Sequence, residues 1–380
     1  MLKLLKSDKL EFPLTSEKNK TYVSPILERN CYDKNFYKLA QGWRYFRYLN
    51  VIQKISDKLF IKVMSLEQFL LQAKKSSFNC KKFSELIVHN LTKKRDCNID
   101  LDFSKPNLMG VINITPDSFY KKSRVSDIKK FITQFNKMKK FGVDIIDIGA
   151  ESTKPGSNTI SIKDEINRLD IFLKQIENVK SNTIISLDTK NHETMKKSLK
   201  SGISLINDVT AFSSKKSQEI LIKNDICGVI MHMQNNPKNM QLNPKYIFPP
   251  IDIFDFFEKK IIELSNSGIK SSKIIIDPGF GFGKSLHHNI TLLRYLPLFH
   301  SLGVPIAVGL SRKSLIKEIS MKKFKFTKNI SSFFSPEKRL GGSLALALKA
   351  YDYGVQILRT HDPLETLQAI YCMEEVDINH

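Results

Sequence analysis

Asp188 and Asp277 each close a short apolar run, Ile184-Ile-Ser-Leu187 and Lys273-Ile-Ile-Ile276. A carboxylate at the mouth of such a run is costly to desolvate unless it meets donors. A planar heterocycle with an amino group beside a ring N–H would supply them, two to one carboxylate. Asn113 opens Asn113-Ile-Thr-Pro-Asp-Ser-Phe119. Its amide oxygen could ligate Mg2+, a hard cation, although the same stretch reads as an ordinary tight loop. Glu151-Ser-Thr-Lys-Pro-Gly-Ser157 is rich in hydroxyls and carries one cation, Lys154, so it could hold a phosphate; a simple hairpin of turn residues would look the same. Ser311-Arg-Lys-Ser314 and Arg359-Thr-His361 offer cations for an anionic leaving group. Asp277-Pro-Gly-Phe-Gly-Phe-Gly-Lys284 resembles a nucleotide loop but lacks the Walker spacing, which makes that reading weak.

These residues need a common platform. From about residue 107, short β-rich runs alternate with longer amphipathic stretches. The runs are Leu108–Ile112, Val143–Ile148, Thr183–Leu187, Ser204–Ile206, Cys227–Met231, Ile274–Ile276, Val304–Val308 and Gln356–Leu358; between them lie stretches such as Asp127–Phe141, Lys163–Val179, His192–Ser201, Ile251–Ser267 and Gly342–Tyr353. Strand–helix alternation predicts a parallel sheet with crossover helices, and eight repeats predict closure into a (β/α)8 barrel of the α/β class. Asn113, Glu151, Asp188, Asn207-Asp208, His232, Asp277, Ser311-Arg-Lys313 and Arg359-Thr-His361 then all fall at the C-terminal ends of strands, the rim on which barrels carry their sites. Chance loop composition does not account for eight of eight.

The chain has 380 residues and a net charge of +22, most of it from lysine and split almost evenly between residues 1–105 and the rest. A basic surface suits anionic ligands, but arginine, the better group for planar phosphate and base recognition, is scarce. Five widely spaced cysteines without a C-x-x-C argue against a disulfide framework or a zinc site. Nothing reads as a signal peptide or a membrane span, so a reducing, cytoplasmic setting is expected. Residues 1–97 lack the barrel rhythm and read as a helical N-terminal extension, with helical patterns near Phe36–Ile55, Ser65–Lys75 and Lys81–Leu91. The aromatic and basic run Gly42-Trp-Arg-Tyr-Phe-Arg-Tyr48 could stack on single-stranded nucleic acid, but packing against a neighbouring domain is the commoner use. The barrel is expected to occupy 98–380 and, cut free, to keep its ligand sites while losing solubility.

Met109-Gly-Val-Ile-Asn-Ile-Thr-Pro-Asp-Ser-Phe119, followed in order by Asp188, Ile206-Asn-Asp208, Met231-His-Met233, Asp277-Pro-Gly279, Ser311-Arg-Lys-Ser314 and Arg359-Thr-His361, resembles the dihydropteroate synthase family from about Ile99 to Ile370. Asn98-Ile-Asp-Leu-Asp-Phe103 looks like the short hairpin that opens such barrels. The resemblance implies condensation of 6-hydroxymethyl-7,8-dihydropterin pyrophosphate with p-aminobenzoate, with early loss of pyrophosphate and a cationic pterin methylene. It places the pterin on Asp188, Asn207, Asp277 and Lys313, with Met231 nearby. Asn113 would bind Mg2+ and pyrophosphate, and Thr153, Lys154, Arg359 and His361 would hold the leaving group. Phe119, Thr153, Pro155, Phe282 and Ser314 would surround p-aminobenzoate. Asn113, Lys313, Arg359 and His361 would act in catalysis.

The chain departs from the family pattern in three places. Tyr120-Lys-Lys-Ser123 stands where the family continues Ser-Asp-Gly-Gly, Lys154 replaces an arginine, and Ala150 replaces a glycine. Lys121 therefore reverses a charge, and its long stem favours a role on pyrophosphate. The alternatives are a degenerate barrel that binds pterin with weak turnover, another pterin-dependent barrel of the methyltransferase kind, and a nucleic-acid binder based on charge. Oligomeric state is open, a homodimer included.

Overall fold

The computed structural model describes residues 3–377 apart from 8–9, 11–18, 32–33, 115–126, 152–159, 178–182, 236–238 and 325–333. The extension contains β1 (Leu4–Lys6), β2 (Asn19–Glu28), β3 (Tyr37–Lys38), β4 (Tyr45–Ile55), β5 (Lys58–Ser65), α1 (Leu66–Lys75) and α2 (Phe78–Thr92). Its sheet has the order β1-β5-β4-β2, with β3 on the end of β4. The helix expected over Phe36–Ile55 is overturned: the segment is β3, a 3-10 turn at Leu39–Gln41, and β4. Tyr45, Phe46, Tyr48, Val51, Ile52 and Ile55 suit a pleated surface. Val51, Ile52 and Gln53 are all buried, so the polar alternation that marks a half-exposed strand is lost and the apolar spacing mimics a helix. Helices do form as expected at α1 and α2. Ser65 starts α1 by accepting the Gln68 N–H, while the Gln68 side chain takes the Ser65 N–H.

The barrel follows as β6 (Asn107–Asn113), α3 (Ile128–Lys140), β7 (Ile145–Gly149), α4 (Ile162–Leu173), β8 (Ile184–Asp188), α5 (His192–Ser198), β9 (Ile203–Asp208), α6 (Lys215–Asn224), β10 (Cys227–Met231), α7 (Pro249–Asn266), β11 (Ile274–Asp277), α8 (Leu286–Arg294), β12 (Ala307–Gly309), α9 (Ser314–Phe324), α10 (Leu340–Asp352), β13 (Ile357–Thr360) and α11 (Pro363–Asp377). All eight expected runs are strands of one parallel sheet, in the order β11-β10-β9-β8-β7-β6-β13-β12. The ends of that order meet at a parallel bridge between Ile276 and Ile306, with the Ile276 N–H on the Pro305 carbonyl at 3.0 Å.

Period-two alternation sorts each barrel strand. Met109, Ile145, Leu205, Cys227, Ile275, Ala307 and Ile357 pack together inside the barrel. Ile146, Ile148, Ile206, Ile230, Ile274 and Ile276 belong to the larger core that joins sheet to helices. Most of the inward set turns polar two or four residues further on, Cys227 being the exception with Val229 and Met231 above it, which is how an apolar floor supports a polar mouth. Asn98–Phe103 forms no hairpin. It is a turn, with the Leu101 N–H on the Ile99 carbonyl at 2.7 Å, and Cys97, Ile99, Leu101 and Phe103 press onto the inward floor.

The extension lies against the outside of the barrel. Tyr22, Ile52 and Leu59 join the barrel's own core, and Tyr22 meets Phe254 edge to face at 5.5 Å. Trp43 stacks on Tyr351 at 5.6 Å and donates its ring N–H to the Tyr351 carbonyl at 3.1 Å, so it packs the extension onto the barrel. Lys20 pairs with Asp255 at 2.7 Å, Arg44 with Asp352 at 2.9 Å and Arg29 with Asp377 at 2.6 Å. Among the described residues no helix is long and apolar enough to cross a membrane.

Candidate active site

Strand register brings the site residues to one level. Asn113 pairs with Gly149, Gly149 with Asp188, Asp188 with Asn207, and Met231 with Asp277. Glycine at 149 makes room, since a Cβ there would lie 3.1 Å from the Asp188 Cβ.

Arg359, on the last strand, is the hub. Its Nε donates to Asp147 Oδ2 at 2.7 Å and its Nη2 to Asp188 Oδ2 at 2.9 Å. Asp147 is fully buried and also accepts from the Ser186 hydroxyl at 2.6 Å and, at 3.4 Å, from the Asn207 amide. The arginine expected to face only a leaving group is thus anchored to two carboxylates, with Nη1 the guanidinium nitrogen that has no protein partner among the described residues. Burial first, and then the charge of Asp147, pushes the Asp188 carboxyl up to about 7 against the pull of Arg359. Asp188 is held from behind as well. Glu165, fully buried, accepts from the hydroxyls of Thr189 and Thr194 and from the Asn191 amide at 2.6–2.7 Å, which locks the loop that follows β8.

Across the mouth, Asp277 Oδ1 accepts the Gly279 N–H at 2.8 Å, and burial raises its carboxyl. Asp188 and Asp277 therefore each keep one oxygen without a protein partner among the described residues. Lys313 rests on the Phe280 carbonyl, 4.6 Å above the centre of the Phe282 ring, and burial lowers its ammonium to about 8. Met231 is buried at the end of β10, and Ser314 is exposed at the start of α9.

His361 Nδ1 lies 3.1 Å from the Ser311 hydroxyl. Burial, reinforced by Arg359, Arg312 and Lys313, pushes its imidazole down to about 3, so it is neutral near pH 7. Arg312 is not a ligand cation. Its Nε and Nη2 take both oxygens of Asp362 at 2.7 Å, and its Nη1 donates to the Pro336 and Glu337 carbonyls. That fork ties the loop after β12 to the loop after β13, which sets Lys313 beside His361. Asp208 serves its own turn, accepting from the Thr210 hydroxyl and N–H and the Phe212 N–H. Phe119, Lys121, Thr153, Lys154 and Pro155 lie outside the described residues.

Asp147, Glu165 and the Arg312–Asp362 pair were missed from sequence. Asp147 had a readable signal: it is the one carboxylate inside Ile145-Ile-Asp-Ile148, on the inward phase of the strand. Asp277→Asn should weaken pterin binding by about 1–3 kcal/mol, because an N–H would then face a donor. Titration of a pterin ligand measures it, and parent-like affinity would remove Asp277 from the ligand.

A parallel barrel with carboxylates and cations facing one another across its mouth suits a ligand with donors at one end and negative charge at the other. The family described as pterin binding enzyme matches residues 109–361. Dihydropteroate synthase of Escherichia coli (strain K12) is 37% identical over 274 residues, covering 72% of this chain and 93% of that protein. The crystal structure of the Yersinia pestis dihydropteroate synthase with a sulfonamide drug complex superposes with a TM-score of 0.67 at 34% identity, covering 74% of this chain and 98% of that one. A bifunctional dihydropteroate synthase/dihydropteroate reductase of Helicobacter pylori (strain ATCC 700392 / 26695) is 31% identical over 326 residues, covering 84% of this chain and 80% of that protein. The chain belongs to the dihydropteroate synthase family and is a transferase of the folate pathway.

Proposed function

We propose that the barrel joins 6-hydroxymethyl-7,8-dihydropterin pyrophosphate to p-aminobenzoate, giving 7,8-dihydropteroate and pyrophosphate. The observation that carries this reading is the pair of carboxylates, Asp188 and Asp277, each pinned through one oxygen with the other left for a ligand donor. Asn207, Met231 and Lys313 complete the pterin bed. Arg359 Nη1 and the neutral His361 face the pyrophosphate, with Asn113, Thr153 and Lys154 as further contacts. The C–O bond to pyrophosphate breaks with its electron pair going to the leaving oxygen. The aniline nitrogen then forms a C–N bond to the pterin methylene and gives its proton to solvent. Phe119, Pro155, Phe282 and Ser314 are assigned to the p-aminobenzoate side.

Among the described residues no cluster of three His, Cys, Asp or Glu could hold a metal. Asn113 offers one hard oxygen at the mouth, which fits Mg2+ arriving on substrate phosphates rather than in a protein cage. Bound there, Mg2+ would neutralise charge on the leaving group. The test is pyrophosphate release from the pterin substrate with and without p-aminobenzoate and Mg2+. Release that needs all three supports the reading, pterin binding without release supports the degenerate barrel, and no pterin binding removes both. Sedimentation decides between monomer and homodimer.

Protonated Asp188 would present a donor to a donor, so pterin affinity should fall as pH drops through about 7. Asp147→Asn removes the charge that helps raise Asp188 and should move that midpoint to lower pH. A binding constant flat from pH 8 to 5.5 would sever Asp188 from the ligand.

A second reading concerns residues 1–97. An alignment covering 84% of the chain exceeds the length of 98–380, so the likeness to the bifunctional Helicobacter pylori protein runs into the extension. By that likeness the chain would also reduce dihydropteroate by two electrons, with reduced nicotinamide or flavin as hydride donor and solvent as proton donor. Dihydropteroate-dependent oxidation of either donor tests this, and its absence with both ends it.

A further inference from the structure

The loop from Asp277 to Lys284 carries alternate glycines, and all three have positive φ: 69° at Gly279, 79° at Gly281 and 57° at Gly283. Side chains rarely adopt that conformation, and at Gly279 a Cβ would also fall 2.0 Å from the His232 carbonyl oxygen. The loop is thus wound to approach the end of β10, with several carbonyls turned inward. Inward carbonyls repel one another and lose water, so they need a donor.

Lys284 supplies it. Its side chain is 3% exposed. The Lys284 amino group, which burial makes much less basic than an ordinary lysine, donates to the Gly279 carbonyl at 2.8 Å, the Phe282 carbonyl at 3.0 Å and the His232 carbonyl at 3.2 Å, and lies 3.1 Å from His232 Nδ1. Two of these groups belong to the loop after β11, and two belong to the residue that follows Met231. The His232 N–H in turn donates to the Asp277 carbonyl at 3.0 Å. No carboxylate forms a salt bridge with Lys284 among the described residues. Above the same loop, Lys313 rests on the Phe280 carbonyl and the Phe282 ring. One loop is therefore gripped by two lysine amino groups, one facing the mouth and one sealed within.

We propose that Lys284 is a positioning residue for the pterin bed: by bridging the loop after β11 to the end of β10, it sets Asp277, Met231 and the seat of Lys313 in one fixed arrangement. This rests on the pterin-binding reading above. The lysine touches no substrate, and its effect reaches the ligand only through those three residues.

The test uses the full chain with Lys284→Met, which keeps most of the stem and removes the donor. In the ligand-free protein, amide exchange within 277–283 and at 231–232 should rise about tenfold or more, as expected for the loss of buried hydrogen bonds. In turnover, KM for the pterin substrate should rise about tenfold or more while KM for p-aminobenzoate changes less than about twofold. Parent-like exchange with parent-like KM overturns the proposal. So does a fall in kcat with both KM values unchanged, which is the signature of a smaller folded fraction. If Lys284→Met does not fold, Lys284→Gln, which retains a neutral donor, is read by the same criteria; if neither folds, the lysine serves folding and not positioning, and the proposal fails. A parent protein that binds no pterin overturns the functional reading instead, and the exchange measurement still decides the clamp.

Discussion

Arg359→Ala is expected to lower turnover by about 10²–10³, the scale for loss of a preorganised electrostatic contact. It should also reduce unfolding free energy by about 3–5 kcal/mol, because one partner of a buried ionic cluster is removed. Asp147 is fully buried and Asp188 is 13% exposed, and with Arg359 gone their charges face each other across adjacent strands with no cation on them. Arg359→Lys separates the two effects. A point charge can neutralise one acid but cannot fork between two, so stability should recover further than turnover. Thermal melts and pyrophosphate release measure the pair. An unchanged rate would put the leaving group elsewhere in the mouth, and an unchanged melt would show that the acids take up protons when the arginine is lost.

Residues 98–380 alone should aggregate or melt roughly 10–30 °C below the full chain. Tyr22, Ile52 and Leu59 are each at most 1% exposed and share the barrel's core. At about 1.5–3 kcal/mol per buried side chain, their loss removes about 5–9 kcal/mol, comparable with the whole stability of many proteins. The cut also removes Arg95, which is 2% exposed and donates to the His300 carbonyl at 2.9 Å beneath the barrel. Sequence reasoning treats the barrel as complete from Asn98, with only solubility at stake; packing makes the extension part of the barrel's outer core. A truncated protein that melts within a few degrees of the full chain and binds pterin would return the extension to an accessory role.

The barrel was readable because its signals are local and repeated: each strand is a short apolar run, and each rim residue follows directly in the chain. Asp188 and Asp277 stood out for that reason. The partners that set their chemistry are distant in sequence. Nothing near Arg359 announces Asp147, 212 positions away, and nothing near Arg312 announces Asp362. The strand Tyr45–Ile55 was misread because burial of neighbouring residues on both its faces erased the alternation that would have identified it. Lys284 sat in plain view at the end of a glycine-rich motif, but a lysine whose partners are carbonyls leaves no pattern of opposite charge to find.

The barrel's ring of strands is closed least firmly between β11 and β12, where a bridge at Ile276 and Ile306 does the work that continuous ladders do elsewhere. Asp277 stands on one side of that seam and Lys313 on the other. A pterin that engages both spans the seam, so it acts as a rivet across the most compliant line of the cylinder. Its binding free energy is then also closure free energy, about 2.7 kcal/mol when free ligand is about 100 times its Kd. Substrate recognition and the mechanical integrity of the barrel are coupled through the same two side chains, and an empty enzyme is the softer one.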